Sequence, residues 1–194
     1  MYEVKAILSI IAISLIFVGY TPYLRDTFRG KTTPHIYSWF IWSFATAIIF
    51  ALQVSAGAGV GAWVTLAVVI LGLIVFIAGL RDGRKNITKL DSLFFVLSLV
   101  SLFLWIFAKQ PVLSAVLISS VDILGFMPTI RKSWNNPYSE TLFMYKVGAA
   151  RHGLAFLALQ QYNIVTWLNP IAWVLANSIF SIILIVRRKQ VGEQ

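Results

Sequence analysis

Four long stretches of this chain contain no Lys, Arg, Asp or Glu: Ala6 to Leu24, Thr32 to Leu80, Ser92 to Ala108 and His152 to Val186. About 20 consecutive apolar residues let a helix cross the hydrocarbon core of a bilayer. There the backbone must satisfy its own hydrogen bonds, so helices are the expected element. The second and fourth stretches are too long for one crossing. Polar or small residues interrupt each of them, over 53–61 in one and 160–163 in the other, so each reads as a helical hairpin. Another helix lies between Gln110 and Arg131, broken only by Asp122, and Ser139 onward begins the helix that continues past His152. The expectation is an all-α membrane protein with seven transmembrane helices, at roughly 4–24, 34–54, 61–80, 90–109, 111–131, 139–160 and 165–187.

Composition narrows the function classes. The chain is 59% hydrophobic and 12% charged, against about 25% charged in an ordinary soluble domain. It has no cysteine and two histidines, so thiolate metal sites are excluded and neither a metal nor another cofactor is expected. No nucleophile, base and orienting group fall within one membrane layer, so an enzyme is not expected. The net charge of +9 would point to nucleic acid in a soluble protein. Here the basic residues follow alternate helices: Arg25, Arg29 and Lys31; Arg81, Arg84, Lys85 and Lys89; Arg131 and Lys132; Arg187, Arg188 and Lys189. The intervening ends offer only Lys5 and Lys109. The positive-inside rule accounts for this pattern without nucleic acid, and it places the N-terminus outside and the C-terminus in the cytoplasm of a multi-pass plasma (inner) membrane protein. The first basic cluster follows the first apolar run, the reverse of a signal peptide, so helix one is expected to stay in the mature chain.

The chain also repeats itself. Gly19-Tyr20-Thr21-Pro22-Tyr23-Leu24-Arg25 recurs as Gly125-Phe126-Met127-Pro128-Thr129-Ile130-Arg131, an offset of 106 residues that also carries Tyr37 onto Phe143, Trp39 onto Tyr145 and Arg81 onto Arg187. Helices one to three thus correspond to helices five to seven, and helix four is left over. One extra crossing between the units makes them parallel. The expected organisation is a first three-helix repeat over 1–83, a cytoplasmic loop and linker helix over 84–109, and a second three-helix repeat with a tail over 110–194.

This duplicated bundle with a linker helix resembles the SWEET sugar facilitators and related PQ-loop carriers. The local pattern is Pro22-Tyr23-Leu24, then Arg29-Gly30-Lys31-Thr32-Thr33 and Ser38, with Tyr23 and Thr129 standing where the family has glutamine. In the second copy Asn136-Pro137-Tyr138-Ser139-Glu140 replaces Lys-Ser-Thr-Glu. The resemblance implies alternating-access transport of a small polar solute, with sugar facilitation first. Proton-coupled carriage of an amino acid or organic anion is the alternative. A membrane binding receptor like the KDEL receptor is a third reading. A nicotinamide-riboside carrier shares the architecture, but Trp39 and Trp42 alone are too short a signal for it. The partners implied are the solute and the lipid bilayer, with self-association open.

Ionisable residues inside a membrane are functional hypotheses by default. Asp122 lies about 13 Å from the inner edge and Lys146 about 12 Å up the next helix, so the two are expected to meet, as an ion pair or as part of a proton relay. Arg151 and His152 lie near mid-membrane beside small residues; the guanidinium can clamp a carboxylate or tie helices together. Asn177 is at midplane depth, and the resemblance singles out Asn169 as the sugar-binding amide. Trp39, Trp42 and Trp173 are candidates for stacking on a sugar or for helix packing, whereas Trp63, Trp105 and Trp167 read as interface anchors. Pro22 and Pro128 are candidate hinges, since each removes one helix hydrogen bond at equivalent places. Gly57, Gly59 and Gly61 are expected to turn the chain between helices two and three.

Overall fold

The structure, a computed structural model, describes residues 2–55, 61–81, 87–108, 110–159 and 162–192. Among these residues there are seven α-helices and no strand: α1 (Tyr2–Phe28), α2 (Ile36–Ser55), α3 (Gly61–Gly79), α4 (Lys89–Phe107), α5 (Pro111–Asn135), α6 (Leu142–Leu157) and α7 (Ile164–Val191). Two helical segments, Glu3–Phe28 and Thr166–Val191, are long and apolar enough to cross a membrane. The expected glycine turn at Gly57 and Gly59 lies outside the described residues, while Gly61 opens α3.

Local chemistry sets the helix ends. α1 runs through Pro22 to Phe28, and Gly30, at φ 72°, then reverses the chain while Lys31 N–H donates to the Asp26 carbonyl at 2.9 Å. α4 starts in a reciprocal cap: Asp91 N–H donates to Thr88 Oγ1 at 3.3 Å, and Thr88 N–H donates to Asp91 Oδ2 at 2.8 Å. α5 likewise runs through its internal proline, Pro128, as far as Asn135. Pro137 cannot continue that helix and begins a single 3-10 turn, Pro137–Ser139, so α6 starts at Leu142, three residues later than the sequence predicts.

α3 contacts both α1 and α2, and α7 contacts both α5 and α6. Across the molecule α1 packs on α6 and α2 on α5, with α4 against α5 and α2. Two glycines make those crossings close, and they are repeat partners. A Cβ on Gly19 of α1 would lie 3.3 Å from Val147 Cγ1 of α6, and one on Gly125 of α5 would lie 2.9 Å from Ile41 Cγ2 of α2. Val147 and Ile41 are themselves related by the 106-residue offset. The offset also relates Thr33 and Ser139, whose backbones are joined at 2.9 Å where the α1–α2 and α5–α6 connections meet. α1 and α6 are antiparallel, since Tyr23 bonds Glu140 just before α6 and Lys5 Nζ donates to the carbonyl of Leu159 just after it.

Candidate functional site

A cavity of about 350 Å3 is lined by residues of α1, α2, α3, α5, α6 and α7. Eight of the residues singled out from the sequence line it: Trp39, Trp42, Asp122, Arg151, His152, Asn169, Trp173 and Asn177. α2 carries two of the indoles, α5 the aspartate, α6 the arginine and histidine, and α7 the third indole and both amides.

Asp122 is held by neutral donors. Asp122 Oδ2 accepts from Asn169 Nδ2 at 2.8 Å and from Trp173 Nε1 at 3.0 Å, and the Asp122 backbone carbonyl accepts from Trp42 Nε1 at 3.2 Å. Asn169 and Trp173 are one helical turn apart, which puts both donors on one face of α7. The Asp122 Oδ1 atom accepts no hydrogen bond from any described residue. The Arg151 Nη2 and His152 Nε2 atoms are 2.6 Å apart, and the His152 ring stacks on Trp173 with centroids 5.6 Å apart. Asn177 Nδ2 donates to the Trp173 carbonyl at 2.8 Å. Its Oδ1 lies where a Cβ on Gly148 would come within 2.8 Å, so this amide fits only because α6 has glycine there.

Lys146 departs from expectation. It is exposed and does not line the cavity, and Asp122 forms no ion pair with it. The reason is helical geometry: Lys146 follows the buried Tyr145 and is turned about 100° away from it around α6. Pro22 and Pro128 lie inside their helices and away from the cavity lining. Of the three expected interface indoles, Trp167 is half-buried near the start of α7, and the side chains of Trp63 and Trp105 lie outside the described residues.

At one end the cavity meets a buried polar network in which Trp39 is the one residue already named as a candidate. Trp39 and Tyr145, repeat partners, both line the cavity and send their polar atoms into it. Trp39 Nε1 donates to Tyr23 Oη at 3.1 Å, and Tyr23 Oη donates to Glu140 Oε2 at 2.9 Å. Tyr145 Oη donates to the same oxygen at 2.8 Å, and Lys132 Nζ binds Glu140 Oε1 at 2.5 Å and the Thr33 carbonyl. Arg188 of α7 donates to the Glu140 carbonyl at 2.6 Å. Beside these, Thr129 Oγ1 donates to Ser38 Oγ at 2.8 Å, and Arg131 Nε meets Asp91 Oδ1 at 2.6 Å. Two members of the network, Tyr23 in the first copy and Glu140 in the second, fall within the local pattern quoted from the sequence.

Comparison of the chain with protein-family models, with curated proteins and with solved structures finds no match.

Proposed function

We propose that this chain is an alternating-access membrane transporter of a small polar solute, built on the SWEET and PQ-loop plan. In this reading all seven helices cross the membrane, as two parallel three-helix bundles joined by α4. The N-terminus is outside and the basic ends of α1, α3, α5 and α7 face the cytoplasm. One observation carries the proposal: a cavity with an aspartate, an arginine and three tryptophans lies between the repeats, and its floor is made by the repeat partners Trp39 and Tyr145. Ionisable groups at that depth are costly and need a polar occupant or partner. The Tyr23, Lys132, Glu140 and Tyr145 network below the floor is then the closed cytoplasmic gate, with Pro22 and Pro128 as the hinges on which the bundles rock. Sugar facilitation rests on the indole faces and the amides of Asn169 and Asn177. Carriage of an amino acid or organic anion is favoured by Arg151, which has a fork of donors and no carboxylate partner among the described residues.

The test is uptake into proteoliposomes of labelled sugars, amino acids and carboxylates, one at a time and with and without a pH gradient. Flux of any one above that of protein-free vesicles supports transport. Binding without flux makes the chain a receptor, and neither binding nor flux refutes the reading.

A further inference from the structure

We propose that the solute is a zwitterion, held across the cavity with its anionic end on Arg151 and its cationic end on Asp122. This inference rests on the transporter reading of that cavity and names its substrate class. Its starting point is a pair of opposite charges that the fold keeps apart. Asp122 and Arg151 line the same cavity of about 350 Å3, yet neither joins an ion pair among the described residues. Elsewhere the fold does pair its buried charges. Lys132 meets Glu140 at 2.5 Å with both side chains at most 4% exposed, and Arg131 meets the fully buried Asp91 at 2.6 Å.

Each cavity charge is instead positioned by neutral groups that leave part of it unused. Asn169 and Trp173 both bind Oδ2 of Asp122 and fix the carboxylate, which leaves Oδ1 to accept from an ammonium. On α6 the guanidinium contacts His152 through Nη2 alone, so its remaining N–H groups can grip a carboxylate in two parallel bonds.

The other solute classes fit this charge pattern less well. A neutral sugar leaves both charges unmatched in a low-dielectric cavity. A lone anion satisfies Arg151 but meets the Asp122 carboxylate, and a lone cation meets the reverse problem. A molecule carrying both charges neutralises both walls.

The experiment measures equilibrium binding to the purified protein in detergent. The common amino acids are tested individually, beside glucose and succinate. For the tightest-binding amino acid, its amide lacks the carboxylate and its 2-hydroxy-acid analogue lacks the ammonium. Both are expected to bind at least tenfold more weakly than the parent. Arg151→Gln should abolish the discrimination against the amide alone, and Asp122→Asn the discrimination against the hydroxy acid alone. The analogue series on the unaltered protein decides the matter even where a variant fails to fold. The zwitterion proposal is overturned if no amino acid binds, or if parent and analogues bind equally. Binding and uptake of glucose or succinate in that case would leave the transporter reading standing, whereas an absence of uptake for every solute class would remove that reading too.

Discussion

Removing the charge of Glu140 is the sharpest test of the gate. Glu140 is 1% exposed and Lys132 4%, and the carboxylate takes Tyr23 and Tyr145 on one oxygen and Lys132 on the other. In Glu140→Gln the ammonium is left buried with the Thr33 carbonyl as its neighbour. Breaking a buried pair by removing one partner costs about 3–5 kcal/mol. If the network is a gate, that cost falls on the closed arrangement and is relieved when the end opens to water. A shift of about 3 kcal/mol in a two-state equilibrium is on the order of a hundredfold in population. The chain has no cysteine, so Thr129→Cys gives a single reporter. Thr129 is fully buried and bonds Ser38 across α5 and α2, so a thiol there is reached only when that interface parts. In inside-out vesicles, Glu140→Gln should raise its labelling rate by at least tenfold. Adding Lys132→Met should reverse most of that rise, because the double variant has no unpaired charge. Unchanged labelling of well-folded Glu140→Gln protein, with a lowered melting temperature, would show that the network is a structural tie and refute the gate.

Three more outcomes follow from the packing and topology. Gly125→Ala places a Cβ 2.9 Å from Ile41 and should cost about 1–3 kcal/mol in thermal unfolding, whereas Gly19→Ala, at 3.3 Å from Val147, should cost less; equal costs would contradict the described crossings. Lys146→Gln should leave both the melting temperature in detergent and solute binding unchanged, since Lys146 is exposed and outside the cavity; a loss of binding would return it to the site. Single cysteines at Gly57 and Asn163 should react with an impermeant maleimide from outside the cell and cysteines at Gly30 and Asn136 should not, and the reverse would overturn the orientation.

The helices were legible in the sequence because charge-free length is a strong signal, and all seven lie close to where the hydropathy places them. α1 and α5 run several residues past their expected ends, since a proline near a helix end can remain inside the helix and hydropathy carries no information about that. The cavity was legible in part. Depth puts Asp122 level with Lys146 and sets Arg151 and Asn177 nearer mid-membrane, whereas the structure places Asp122, Arg151 and Asn177 in one lining. Depth does not give direction around a helix, and this is why Lys146 was expected beside Asp122 and is found exposed. The Glu140 network is not legible in the sequence because its members come from α1, α2, α5, α6 and the α5–α6 connection, and no spacing in the chain links Tyr23 to Glu140.

The repeat is symmetric in its scaffold and asymmetric in its chemistry, and the contrast bears on the solute. The crossings at Gly19 and Gly125 are equivalent, down to the Val147 and Ile41 side chains that they admit. Every polar group of the cavity named above except the indoles of α2 comes from the second repeat, and the offset carries Asp122 onto Ile16, Arg151 onto Ala45 and Asn177 onto Leu71. Ile16 lines the cavity as well, so the first repeat supplies an apolar wall at the place where the second supplies a carboxylate. A duplicated bundle that binds a pseudosymmetric solute has reason to keep matching groups in both halves. A cavity whose two charged groups both come from one half gives a dipolar solute, on the transporter reading, one orientation, with its charged ends toward α5 and α6. A dipolar molecule satisfies that arrangement in a single pose. On the transporter reading, rocking the two bundles apart would change the first-repeat wall that faces the solute while its charged ends keep their partners within one bundle.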